Sequence, residues 1–229
     1  MNIIINGGTR GIGKEVVQVL ARDINNQIMV TGRNMKALKY LAEQHKNVHT
    51  MALDLTALDT QTNSVREAIT THFKTVDILI NMAGLLVSKD FMNCKNDEAR
   101  LMMETNFFGP ASFIRLIKPI MPDGSHIVNI SSMGGFQGSS KYKGLSYYSA
   151  SKAAISSLSE SLAVEFMESG ISVNCLALGA VQTEVFEEAF PGLKAPVKAE
   201  EIAEYISDFA LKGHRFINGK IIPVAVNNP

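Results

Sequence analysis

Tyr148 and Lys152 stand four residues apart in "SYYSASKAA". That spacing puts both side chains on one face of an α-helix, one turn from each other. A phenol titrates near pH ~10, too high for easy proton exchange in neutral water. An ammonium one turn away stabilises the phenolate and lowers that value, so the pair can serve as a general acid and base. Tyr147 points about a quarter-turn away from that face, which singles out Tyr148. Upstream, "HIVNISS" brings two hydroxyls, Ser131 and Ser132, to the end of an apolar run. A tyrosine and lysine at this spacing are frequent by chance, so the chemistry depends on other residues converging on them.

The elements that must position these groups are legible as an alternation. Short apolar runs, "NIIIN", "QIMVT", "VHTMAL", "VDILIN", "HIVNIS", "ISVNCLAL" and "KIIPVAV", are nearly continuous and rich in β-branched residues. Such runs suit strands buried on both faces of a parallel sheet. Between them lie amphipathic segments such as "GKEVVQVLARDI", "NMKALKYLAEQH", "SVREAITTHF" and "AAISSLSESLAVEFME", with apolar spacing near three and four. The alternation predicts an α/β fold: a single Rossmann-like, doubly wound parallel sheet of about seven strands with helices on both faces. No repeat or linker divides the chain, so residues 1–229 are expected to form one dinucleotide-binding and catalytic domain; the loosest segments are "SSMGGFQGSSKYKG" and "FEEAFPGLKAPVKAEE". In such a sheet, ligands collect beyond the carboxyl ends of the strands.

The first such end is "IIINGGTRGIGKEVV", a strand, a glycine-rich turn holding Gly7, Gly11 and Gly13, and a helix. Glycines there let the backbone approach a pyrophosphate, and the helix N-terminus supplies free N–H groups and a positive dipole end. The second strand ends "MVTGRN", with Gly32 and Arg33 where an acid would hold a ribose 2′-hydroxyl. Arg33 can instead pair with a 2′-phosphate.

Together these segments resemble the single-domain short-chain dehydrogenase/reductase family, whose pattern TGxxxGIG has the same glycine spacing. The resemblance runs through nearly the whole chain, to "INGKIIPV". It implies a cofactor site at Gly7, Arg10, Gly11, Ile12 and Gly13, with Arg10 and Arg33 favouring NADP(H). Asp54, beside Leu55, would reach the adenine, and Asn81, Ala83 and Gly84 of "NMAG" would back the adenosine. It assigns the substrate-polarising hydroxyl to Ser132, the proton transfer to Tyr148, and the support of that transfer to Lys152 and Asn106, with Asn106 bending a helix. Lys152 and Tyr148 would also touch the cofactor, and Gly179, Val181 and Thr183 would hold its carboxamide. It further implies a homodimer or homotetramer acting on a small-molecule carbonyl or alcohol. This chain departs from the pattern at Asn6, Met82 and Leu178, and "AVN" replaces the usual DGG after the last strand. The residues after Thr183 correspond to the family's variable lid, where Phe186, Phe190 and Phe136 suggest an apolar pocket.

Composition narrows the alternatives. Lys plus Arg (22) balances Asp plus Glu (22), which gives no reason to expect nucleic acid or an anionic membrane as partner. Cys94 and Cys175 lack metal or disulfide spacing, and His45 and His49 straddle an expected helix end, so no metal site is expected. Three apolar residues before the first turn are too few for a signal peptide, and no run would span a bilayer; a cytoplasmic protein is expected. A second class stays open: an NADP(H)-binding sensor or regulatory module that keeps the fold with weak catalysis.

Overall fold

The computed structural model describes residues 1–226; Asn227 of the "AVN" segment lies outside the described residues. In chain order the elements are β1 (Asn2–Asn6), α1 (Gly11–Ala21), β2 (Gln27–Gly32), α2 (Met35–Gln44), β3 (Val48–Ala52), α3 (Leu58–His72), β4 (Ile78–Asn81), α4 (Asn96–Met103) and α5 (Gly109–Ile117). They continue with β5 (His126–Ser132), α6 (Ser146–Glu165), β6 (Ser172–Leu178), β7 (Val181–Gln182), α7 (Glu184–Ala189), β8 (Val197–Lys198), α8 (Ala199–Lys212) and β9 (Ile221–Val224).

Seven strands form one parallel sheet in the order β3–β2–β1–β4–β5–β6–β9. The order reverses between β1 and β4, the switch point at which a cleft opens beyond the strand ends. The pleat sends alternate residues to opposite cores. Ile3 and Ile5 of β1 pack with Val16, Leu38 and Ile206 from α1, α2 and α8. Ile4, between them, packs with Ile69 and Phe113 from α3 and α5. Pro223, which has no N–H to give, sits in the edge strand β9, where its loss is tolerated.

Some boundaries differ from those the sequence suggests. Helix α3 begins at Leu58 rather than near Ser64. The segment read as loose around Phe190 holds α7, β8 and the start of α8, with β7 and β8 forming a separate two-stranded pair. Each of those strands has two residues, too few to carry an apolar pattern.

One buried row of side chains crosses the sheet just below the switch point. Thr31 Oγ1 donates to Asn6 Oδ1 at 2.7 Å, and Asn6 Nδ2 donates to Asn81 Oδ1 at 2.7 Å. Asn81 Nδ2 donates to Asn129 Oδ1 at 2.7 Å, and Asn129 Nδ2 to Ser159 Oγ of α6 at 2.9 Å. Ser159 closes the run on the carbonyl of Ile155 at 2.7 Å. Thr31, Asn6, Asn81 and Asn129 are register neighbours on four adjacent strands. The departure at Asn6 therefore supplies a link: its amide both accepts and donates, and ties β1 to both neighbours.

Candidate active site

The cleft at the switch point encloses about 600 Å³. Its floor is the turn from β1 into α1. Gly7 has φ +84°, and a Cβ there would lie 2.5 Å from the backbone N of Ala83. At Gly13 a Cβ would lie 2.2 Å from the carbonyl oxygen of Gly7, so only glycine lets the helix approach the strand this closely. The Gly7 N–H donates to the Thr31 carbonyl at 2.9 Å, anchoring the turn to β2. No side chain caps the N-terminus of α1, and its first turn holds no acid. Its first residues, Gly11, Ile12 and Gly13, line the cleft, which suits a bound pyrophosphate; a carboxylate oxygen of Glu184 in α7 lies 3.6 Å from where a Cβ at Gly11 would stand.

Arg10 and Arg33 line the same end of the cleft. Arg10 Nη1 lies 4.0 Å from Glu188 of α7, and Arg33 Nη1 lies 3.9 Å from Asp54. Both guanidinium groups are largely exposed, so neither ion pair holds them tightly. Asp54 also lines the cleft, while its carboxylate accepts from the Thr56 N–H at 3.0 Å and caps the turn that begins at Leu55.

At the far side of the glycine turn, the ends of β5 and α6 meet. Ser131 and Ser132 separate as the pleat requires. Ser131 Oγ donates to the Lys152 carbonyl at 2.8 Å and accepts from Ser156 Oγ at 2.8 Å, which ties β5 to α6. Ser132 is half-buried at the cleft wall, where its oxygen accepts from the Gly134 N–H at 3.2 Å. Tyr148 and Lys152 both line the cleft from one face of α6. Tyr147 does not; it stacks on Phe91 with centroids 5.4 Å apart.

Lys152 is 4% exposed and its Nζ donates to the Ile130 carbonyl at 2.9 Å. Burial lowers its pKa to about 8. The Nζ lies 6.0 Å from the centre of the Tyr148 ring. The phenol itself is pushed up by burial, with the Ser132 hydroxyl pulling it part of the way back. This differs from the lowering by Lys152 that spacing alone suggests: withdrawing a phenolate from water outweighs the ammonium at that distance.

Two expected site residues stand behind the cleft wall. Asn81 is 3% exposed and its amide is consumed by the buried row, so it braces β4 while Ala83 and Gly84, just beyond, reach the cleft. Asn81 itself is not among the residues that line the cleft. The sheet-bracing amide missing at Met82 is supplied by Asn6, Asn81 and Asn129, while Met82 packs on the core beneath α1. Asn106 is 1% exposed and sits in a π-helical turn, Glu104–Phe108, that joins α4 to α5. Its Oδ1 accepts from the Leu85 N–H at 2.7 Å, and its Nδ2 donates to the Leu85 carbonyl and to Ser151 Oγ, both at 2.9 Å. Asn106 thus fixes the chain after β4 against α6. A Cβ at Gly84 would lie 3.3 Å from Lys152 Nζ and 3.7 Å from Asn106 Oδ1, so this glycine leaves the lysine its room.

Gly179, Val181 and Thr183 line the opposite wall. The turn after Leu178 is held by the Gly179 N–H donating to the Val224 carbonyl at 2.9 Å, which compensates for the missing proline. Thr183 caps α7 by accepting from the Phe186 N–H at 3.2 Å. Phe186 and Phe190 line the cleft, whereas Phe136 is not among the lining residues.

Two contributors were invisible in the sequence. Lys141 donates to the carbonyls of Gly134 and Phe136, at 2.9 and 2.7 Å, and to Ser139 Oγ at 3.1 Å, pinning the loop that follows Ser132. Gln182 donates to Glu187 at 2.7 Å and accepts from the Ala195 N–H at 2.8 Å, clamping the two ends of the lid. Neither residue type nor spacing signals such loop contacts.

Comparison with known proteins agrees with this fold. The short chain dehydrogenase family model matches residues 1–194. An uncharacterized oxidoreductase of Staphylococcus saprophyticus is 29% identical over 208 residues, covering 88% of this chain and 87% of that protein. A short-chain dehydrogenase/reductase from Serratia marcescens superposes with a TM-score of 0.86 at 25% identity, covering 98% of this chain and 96% of that one. A short chain dehydrogenase from Burkholderia cenocepacia, solved in complex with NADP, superposes with a TM-score of 0.86 at 21% identity over 97% of this chain and 95% of its own. The chain belongs to the short-chain dehydrogenase family of oxidoreductases, which use nicotinamide cofactors on small-molecule substrates.

Proposed function

We propose that this chain, as one domain, is an NADP(H)-dependent oxidoreductase that interconverts a carbonyl and an alcohol. The observation that carries this reading is the meeting of Ser132, Tyr148 and Lys152 beside the glycine turn in one cleft. The preference for the phosphorylated cofactor rests on Arg10 and Arg33 at the glycine-turn end, where their guanidinium groups can pair with a 2′-phosphate. The NADP held by the Burkholderia cenocepacia enzyme of similar fold supports it.

Gly7, Gly11, Ile12 and Gly13 would hold the pyrophosphate on backbone N–H groups, Asp54 and Leu55 the adenine, and Ala83, Gly84, Gly179, Val181 and Thr183 the remainder. Bound there, the reduced cofactor supplies a hydride to a carbonyl carbon. Ser132 Oγ donates a hydrogen bond to the substrate oxygen, and the Tyr148 hydroxyl gives that oxygen its proton. Lys152 Nζ keeps a positive charge beside the phenol, favouring the form that has just lost its proton. Asn106 acts through others, holding Leu85 and Ser151 so that the lysine faces the cleft. We place the same chemistry in a homo-oligomer, for which exposed Leu101, Phe108 and Val164 offer apolar surface.

Tyr148→Phe tests the reading. On any carbonyl that the protein reduces, turnover should fall at least about 100-fold, the range of one general acid, while NADPH affinity changes little. Unchanged turnover would refute the assignment, and NADPH oxidation slower than NADH oxidation would refute the cofactor preference.

A further inference from the structure

We infer that the substrate is a neutral carbonyl compound with an apolar body, and not an oxo acid or another anion; this deepens the carbonyl-reductase reading and rests on it. Among the described residues lining the cleft, the carboxylate and cationic side chains are Arg10, Arg33, Asp54 and Lys152. The first three stand at the glycine-turn end, where a nucleotide's phosphates and adenosine belong. Lys152 is 4% exposed and its Nζ already donates to the Ile130 carbonyl.

Past Ser132 and Tyr148 the walls change character. Leu85 and Leu86 come from the chain after β4, Leu145 from the residue ahead of α6, and Phe186, Phe190 and Leu193 from the lid. The rings of Phe186 and Phe190 pack with centroids 5.2 Å apart. The side-chain polarity beyond the reacting hydroxyls comes from Tyr142 and Thr105, both neutral. Lys141 is engaged by three acceptors of its own loop, Lys143 by Asp90 at 3.3 Å and Lys89 by Glu98, while Lys194, next to Leu193, is exposed and is not among the lining residues. A carboxylate beside the reacting carbonyl would leave water without gaining a cation, which is costly, whereas an apolar body gains in proportion to the area it buries.

The test uses a matched pair: benzylacetone, and the oxo acid in which its methyl is replaced by a carboxylate. Binding is read by quenching of NADPH fluorescence in the Tyr148→Phe binary complex, and turnover in the unaltered protein. The ketone should bind at least about tenfold more tightly and show a kcat/KM at least about 100-fold higher, although the oxo acid is the more electrophilic compound. Phe186→Arg should narrow the gap by improving the oxo acid. If the ketone binds, the acid does not, and neither is reduced, the reductase reading fails while the charge preference stands. Equal binding of the acid overturns the inference, as does failure of the ketone and its shorter and longer homologues to bind. A coenzyme A thioester preferred over its uncharged, truncated counterpart also overturns it, by revealing a cation at the mouth.

Discussion

Replacing Asn81 by alanine cuts the amide row in the middle. Asn6 Nδ2 loses its acceptor and Asn129 Oδ1 loses its donor, and both residues are 0% exposed, so solvent cannot replace what is removed. Each stranded polar group costs about 1–3 kcal/mol, so the substitution should destabilise the fold by about 4 kcal/mol, a large share of the stability of an ordinary domain. At a slope near ~2 kcal/mol per molar urea, the unfolding midpoint should fall by about 2 M. Asn6→Ala alone should also destabilise, by stranding Asn81 Oδ1. Added to Asn81→Ala it should cost less than it does alone, because the Asn6–Asn81 bond is already gone; the coupling should reach about 1–2 kcal/mol. Urea titrations of the unaltered protein, the two single variants and the double variant measure this. A loss below about 1 kcal/mol for Asn81→Ala, or strict additivity, would show that the row is not a stabilising network.

Three further outcomes follow from the structure. His126 is 0% exposed, with Nδ1 on the Ala210 carbonyl and Nε2 facing Asn174 Nδ2, both at 3.0 Å, and burial lowers its pKa to about 4. Its lowered value makes the unfolded chain the better proton acceptor, so stability is full above pH ~6.5 and declines towards pH ~4 by up to about 3 kcal/mol; urea midpoints in His126→Gln should lose most of that slope. With Lys152 titrating at about 8, NADPH affinity should weaken as pH rises through that value, and Lys152→Met should bind weakly with a flat pH profile in fluorescence titration. Glu188→Gln should free Arg10 and tighten NADPH by about threefold without changing NADH, an effect of the size expected for an exposed ion pair; weaker NADPH binding would contradict it.

The inner strands β1, β2, β4, β5 and β6 were legible because they are buried on both faces and written largely in apolar residues, and the half-buried edge strands β3 and β9 because short apolar runs stand between helical segments. The glycine turn, the two arginines, Ser132 and the Tyr148–Lys152 pair were legible because each is a local pattern with a fixed relation to a strand or helix end. The place of Asn81 behind the wall was not legible, because a motif names a position and not the direction of its amide, which here is decided by Asn6 and Asn129 on neighbouring strands. The phenol's upward shift could not be read from spacing, since burial belongs to the assembled cleft. Lys141, Gln182 and the small β7–β8 pair escaped notice for a related reason: loops are organised by single contacts that leave no periodic trace.

Gln182 joins Glu187 to Ala195 and so closes the lid upon itself. The hydroxyl, phenol and ammonium of the cleft hang instead from β5 and α6, fastened through Ser131 and Ser156. Reactivity and selectivity therefore occupy two separately fastened parts. Exchanging residues 184–194, with Glu187 kept for the clamp, can retune which molecules enter while the machinery that transforms them stays where it is, making this segment the natural place to diversify when new specificities are sought.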